Sequence, residues 1–230
     1  MAGLNSLNPL RETPQLGARV YQALLDSILS GQIELGAPLR PDVIARQLEV
    51  STTPVREAMQ RLESDGLSIK LPNRGWFVRE FTPQQIRDLY EFRASLECMG
   101  GRLACQRMTA EDLERLRELQ FTGEAALAAH DMDAYRLYNQ SFHATILNAA
   151  RNSYLSTVMG QLRLQNELLM IKTMRIVGRP LRAIEEHARI IELLAARDSA
   201  SVQDLMSTHI LGALDDLLRN AAPEPGAAAV

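Results

Sequence analysis

Between Leu16 and about residue 220, the apolar residues of this 230-residue chain recur three and four positions apart, and the pattern turns β-prone in one stretch only, residues 67–78. A period near 3.6 commits most of the chain to packed helices, because a half-buried strand needs a period of two. Leu16, Val20, Ala23, Leu24 and Ile28 mark a first helix that ends at Gly31, a residue suited to the left-handed position after a helix. After a Gly36-Ala37-Pro38 turn, Val43, Ile44 and Leu48 mark a short second helix. Ser51-Thr52-Thr53-Pro54 then offers N-cap hydroxyls and a first-turn proline. The third helix turns Val55, Ala58, Met59 and Leu62 inward and stops at Gly66. In the break, Leu67-Ser68-Ile69-Lys70 and Trp76-Phe77-Val78 flank Pro72-Asn73-Arg74-Gly75 as a hairpin. Three short helices and a small hairpin within 80 residues predict a winged helix-turn-helix.

From Thr82-Pro83 the helical period is unbroken apart from start signals. Thr109 with Asp112 reads as a capping box, and His130-Asp131, Asn152-Ser153, Gly178-Arg179-Pro180 and Asp198-Ser199 read as further breaks. They divide the stretch into about six helices, an all-α bundle. The fold class is therefore mainly α. The expected division is an N-terminal arm over 1–15, a winged helix-turn-helix over 16–81, a helical domain over 82–222 and a disordered tail over 223–230. Cys98 and Cys105 lie seven residues apart on one helix, about 10 Å at 1.5 Å per residue, too far to bridge. Two such thiols, no apolar run long enough for a bilayer and no secretory signal predict a cytoplasmic protein with no membrane role.

The net charge of −3 gives no sign of a nucleic-acid partner. The third helix does. With Val55, Met59 and Leu62 facing the core, the helical period turns Thr53, Arg56 and Gln60 to another side. Hydroxyls and free amides at a helix start can bind phosphate, and an arginine one turn in can reach a guanine edge. A solvated helix face is the plain alternative for Arg56 taken alone. Residues 36 to 78 weigh against it, because Gly36-Ala37-Pro38-Leu39, the run Ile44 to Glu63 containing Val50-Ser51-Thr52-Thr53-Pro54-Val55-Arg56-Glu57-Ala58, Asp65-Gly66-Leu67 and Pro72-Asn73-Arg74-Gly75 resemble the N-terminal domain of the GntR family of bacterial repressors. The resemblance implies a DNA-binding surface of Arg40, Ser51, Thr52, Thr53, Arg56, Gln60, Arg74 and Gly75. Thr52 stands where the family commonly has arginine and Glu49 where it commonly has glycine, which implies a different operator or weaker binding. Residues 1–80 hold nine basic and nine acidic side chains, so clustering rather than net charge has to carry DNA affinity.

The chain has four histidines, three of them in periodic helices: His143, His187 and His209. Asn139 and His143 share a helix face one turn apart, where both can point at one ion. For each histidine singly, a hydrogen-bonded interior residue is the competing reading. Arg93-x-x-x-Glu97, Asn139 to His143, Ala150-Arg151-Asn152, Glu186 to Ile191 and Met206 to Ile210 resemble the FCD-type effector-binding helical domain of the FadR subgroup. That resemblance implies a divalent metal, zinc with nickel and manganese as alternatives, held by Asn139, His143, His187 and His209. Many relatives have aspartate where this chain has Asn139. Neutral ligands leave a dication's charge uncompensated and favour an anionic, carboxylate effector. Arg93 is either its second anchor or the partner of Glu97 at i+4.

The resulting expectation is a transcriptional regulator, a repressor, that binds double-stranded pseudo-palindromic operator DNA as a homodimer and responds to a small organic acid bound at or near the metal. Two alternatives remain at this point: a metal-free pocket in which the histidines hydrogen-bond the effector, and a metal-dependent hydrolase joined to a DNA module. The sequence holds no His-Glu-x-x-His helix, Gly-x-Ser-x-Gly elbow or glycine-rich phosphate loop, so an enzyme is not expected.

Overall fold

The structure is a computed structural model that describes residues 15–220. The expected N-terminal arm and C-terminal tail lie outside the described residues. The chain divides into two compact units between Glu80 and Phe81.

The first unit contains α1 (Gln15–Leu29), β1 (Pro38–Leu39), α2 (Pro41–Gln47), α3 (Thr52–Ser64), β2 (Ser68–Leu71) and β3 (Gly75–Val78). Its core is built from Val20, Leu24 and Ile28 of α1 and from Val55, Ala58, Met59 and Leu62 of α3, the inward positions the helical period predicts. The α3 helix ends where Gly66 takes φ 74° and the Leu67 amide donates to the Leu62 carbonyl at 2.8 Å, a close that a side chain at Gly66 would strain. Three details depart from the sequence reading. On α1 the predicted apolar positions Leu16 and Ala23 are exposed, and Tyr21 and Leu25 are buried instead. The segment after Gly36 is more than a turn: Pro38 and Leu39 pair antiparallel with Phe77 and Trp76, giving a three-stranded sheet of order β1-β3-β2. A two-residue strand is too short to show an alternation in sequence. Val43 and Leu48 are exposed, and α2 buries only Ile44 and Ala45.

The second unit is six helices: α4 (Pro83–Arg107), α5 (Ala110–Ala128), α6 (Met132–Ala149), α7 (Ser153–Met174), α8 (Arg179–Ala195) and α9 (Ser199–Asn220). Each starts at a predicted break. Thr82 and Thr109 form capping boxes with Gln85 and Asp112, Asp131 and Asn152 cap through their side chains, and Gly178 enters α8 at φ 77°. A Cβ on Gly100 would lie 2.8 Å from Leu147 of α6, and one on Gly101 would lie 2.8 Å from Val202 of α9. The missing side chains let α4 approach both helices closely. That approach places Glu97, one turn earlier on α4, within reach of His143 on α6. Among the described residues, no helix is long and apolar enough to cross a membrane, and both cysteines are free.

Candidate functional site

In the first unit α3 presents Thr52, Thr53, Arg56 and Gln60 on its exposed face. Ser51 is the exposed N-cap in position, but its side chain makes no capping bond, so its hydroxyl and the first-turn amides are not tied to each other. Arg40 is exposed at the N-cap of α2. At the hairpin tip Asn73 and Gly75 have φ of 58° and 88°, Arg74 is exposed, and a Cβ on Gly75 would meet no atom within 4 Å. Trp76 joins the two surfaces. Its indole donates to Glu63 of α3 at 3.1 Å, while the Arg56 guanidinium and Lys70 ammonium lie 6.0 and 4.5 Å from its ring centroid. One aromatic ring thus groups cations from the helix and the hairpin, an arrangement that a count of nine against nine conceals. Arg61, by contrast, stacks on Tyr21 at 4.0 Å.

In the second unit α6, α8 and α9 bring His143, His187 and His209 together, all buried, with one ring nitrogen of each within 4.8 Å of the others. The partners on the opposite ring nitrogens fix which atoms converge. His143 Nδ1 faces the Glu97 carboxylate. Burial alone would raise the Glu97 pKa, but Arg93, whose Nε donates at 2.6 Å, and His143 outweigh it and hold the carboxyl well below the usual range. An ionised carboxylate only accepts, so the His143 proton sits on Nδ1. His209 Nδ1 likewise donates to Glu186 at 2.6 Å, and Arg179 donates to that same carboxylate oxygen at 3.0 Å. His187 Nδ1 lies 2.8 Å from the Tyr138 hydroxyl. Burial, followed by the charges of His209 and His143, pushes the His187 pKa well below its ordinary value. Burial also dominates at His209, overcoming the Glu186 hydrogen bond and bringing its pKa down to about 4. Both rings are therefore neutral near pH 7.

With protons on the Nδ1 atoms of His143 and His209, the Nε2 lone pairs of both turn toward the point that His187 also faces. His143 Nε2 is buried without a hydrogen-bond partner, and the Nε2 atoms of His187 and His209 face each other at 3.2 Å. His209 Nε2 carries no proton, so this contact needs either a proton on His187 Nε2 or a cation between the rings. A divalent cation would be held by all three rings at once, and imidazoles whose other ring nitrogen is fixed by a hydrogen-bonding partner, most often a carboxylate, are a usual donor set for one. The residues present therefore fit a metal.

Asn139 lies beside them, its amide nitrogen donating to Met170 Sδ at 2.8 Å, which leaves Oδ1 as the atom free to face an ion. Arg93 forms the Glu97 ion pair and also lines a cavity of about 200 Å³. That cavity reaches His143 and Asn139 and is walled by Leu147, Met159 and Met170 of α6 and α7. Sequence reasoning missed Tyr138, Gln120, Glu186 and Arg179, and took Glu97 only as a partner for Arg93. Glu186 and Arg179 lay inside segments it had singled out for other reasons. Tyr138 and Gln120 carried no signal, because their role depends on packing between α5, α6 and α8.

Comparison with known proteins joins these two surfaces. Residues 16–78 match the model of the bacterial regulatory proteins of the gntR family, and residues 88–212 match the FCD domain. The chain belongs to the GntR family. The Nta operon transcriptional regulator of Aminobacter aminovorans is 30% identical over 187 residues, covering 76% of this chain and 81% of that protein. The gluconate operon transcriptional repressor of Bacillus subtilis is 29% identical, covering 80% of this chain and 77% of its own. A GntR regulator from Rhodococcus sp. RHA1 superposes with a TM-score of 0.75 at 27% identity, over 90% of this chain and 99% of the other. As a GntR-family member with an FCD domain, this protein is a transcriptional regulator and not an enzyme.

Proposed function

We propose that this GntR-family regulator is a repressor that binds a pseudo-palindromic operator as a homodimer and is modulated by a small carboxylate at a divalent metal, zinc, in the helical domain. The observation that carries the metal and effector part is the convergence of ring nitrogens from His143, His187 and His209, with His143 Nε2 buried and without a hydrogen-bond partner. His143, His187 and His209 supply the imidazoles, and Asn139 Oδ1 a fourth, neutral donor. The carboxylates behind the ring do not neutralise an ion, because Arg93 already offsets Glu97 and Arg179 offsets Glu186. When bound, the metal supplies a positive, Lewis-acidic anchor with open positions, and charge balance favours an anion there. The adjoining cavity accommodates the carbon skeleton of the acid against Leu147, Met159 and Met170.

On the DNA side, α3 is the recognition helix. Arg56 reads a base edge with Thr53 and Gln60 beside it, and Ser51, Thr52 and Arg40 position the phosphates. Arg74 and Gly75 form the wing contact. Two such heads in a dimer read half-sites about one helical turn apart, so a ligand that disturbs their spacing abolishes simultaneous fit. The coupling required is about 1–3 kcal/mol. The similarity to the gluconate operon transcriptional repressor, whose operon is named for an organic acid, is in keeping with an acid effector here. The test is operator binding by full-length, untagged protein, titrated with organic acids with and without zinc. The proposal expects acid-dependent change in affinity that disappears on chelation. Acid response unaffected by complete removal of metal contradicts it.

A further inference from the structure

Two of the three histidines are oriented by carboxylates, but His187 is oriented by a phenol, which can either donate or accept. A phenol fixes a tautomer only if something fixes the phenol. The Gln120 amide nitrogen of α5 donates to the Ile184 backbone carbonyl of α8 at 3.0 Å and to the Glu124 carboxylate at 2.8 Å. Both partners only accept, so the amide has one orientation and its oxygen must face Tyr138, 2.8 Å away. The Tyr138 hydrogen is thereby committed to Gln120. Its oxygen can then only accept from His187, so the His187 proton is on Nδ1 and its Nε2 is bare. Shape supports the same chain: a Cβ on Gly123, one turn after Gln120, would lie 2.5 Å from the Tyr138 ring, so α5 offers both a seat and an acceptor. Phe142 stacks on the His187 ring at 3.9 Å and an interplanar angle of 17°, holding its plane.

We infer that Gln120, Gly123 and Tyr138 are positioning residues that lock the tautomer of His187, so that α5, which contributes no ligand, decides whether the metal site exists. This rests on the metal reading above. The alternative tautomer has a ready partner: with the proton on Nε2, His187 donates to His209 Nε2 at 3.2 Å and closes the site. Tyr138→Phe removes the acceptor that the described residues offer to Nδ1–H. Gln120→Leu frees the Tyr138 hydrogen to donate to Nδ1. Both substitutions drive the same switch by different routes, and Gly123→Ala displaces the phenol ring.

The experiment uses untagged full-length protein and two readouts. Nitrogen NMR of the zinc-free protein reports which His187 nitrogen is protonated, and competition with a chromophoric chelator reports zinc affinity. The expected result is Nδ1–H in the wild type, Nε2–H in Tyr138→Phe and Gln120→Leu, and a loss of zinc affinity of about 10- to 100-fold in both, the usual range for removing an outer partner. Gly123→Ala should weaken zinc in the same direction, whereas Gly212→Ala, where a Cβ meets nothing within 4 Å, should not. Nδ1–H retained in both variants with wild-type zinc affinity overturns the inference. A wild type that carries Nδ1–H but takes up no zinc overturns the metal reading instead, and the tautomer switch in the variants still tests the relay.

Discussion

Glu97→Gln is the most informative single change in the helical unit. The carboxylate has no exposed surface and accepts from two donors, Arg93 Nε and His143 Nδ1. Glutamine keeps the shape but has one oxygen for the two. If the oxygen stays on Arg93, the amide hydrogens face His143, Nδ1 must accept, and the ring proton moves to Nε2, where a metal would bind. If the oxygen turns to His143, the amide hydrogens meet the guanidinium of Arg93, a residue only 8% exposed, which is left as a buried charge without its counter-ion. Breaking a buried pair costs about 3–5 kcal/mol, and the retained hydrogen bond puts this case near about 3. For a unit of this size each kcal/mol moves the melting midpoint by about 2–4 °C, so a fall of about 6–12 °C is expected in zinc-free protein. Zinc affinity should fall by about 10- to 100-fold. Differential scanning calorimetry and chelator competition measure the two. An unchanged midpoint together with wild-type zinc affinity would refute the reasoning, since it would mean that neither the charge nor the proton position at Glu97 matters.

Arg56→Ala should weaken operator binding by about 1–3 kcal/mol in fluorescence anisotropy and relax preference at one base pair, leaving effector and zinc binding intact. Arg74→Ala should weaken all DNA sequences alike and reduce the slope of log affinity against log salt by about 1, as a phosphate contact does. Stability of zinc-free protein should fall as pH drops. His187 and His209 have depressed pKa values when folded, so the unfolded chain takes up their protons first, near pH 6.5. The loss runs from there down through about pH 4, where folded His209 titrates, and that residue alone accounts for about 3 kcal/mol. Urea midpoints that are flat between about pH 7 and about pH 5 would contradict it.

The fold was legible because most of its punctuation is local. Thr82, Thr109, Asp131 and Asn152 cap within three residues of their own position, and a capping side chain can be read from sequence. β1 was not legible, because Pro38 and Leu39 are a strand only by virtue of Phe77 and Trp76 beside them. The candidate site divides along the same line. His143 and Asn139 lie on one helix face and could be paired by spacing. Bringing in His187 and His209 took the family resemblance, since nothing in their spacing links three helices. The partners that set proton positions were beyond either route. Glu97 reaches His143 because Gly100 and Gly101 let α4 close on its neighbours, and Tyr138 is fixed by an amide on a helix that holds no ligand. Such roles follow from three-dimensional direction of donors and acceptors, which a sequence does not carry.

His143, His187 and His209 are proposed to hold one divalent metal through Nε2. Metal content of untagged protein, combined with X-ray absorption spectroscopy of the zinc-loaded form, tests it most directly. The expected result is one zinc per chain with three imidazole nitrogens at about 2.0–2.1 Å and oxygen in the remaining positions. Failure to retain zinc, or a zinc shell without imidazole that survives replacement of His187 by alanine, would contradict it.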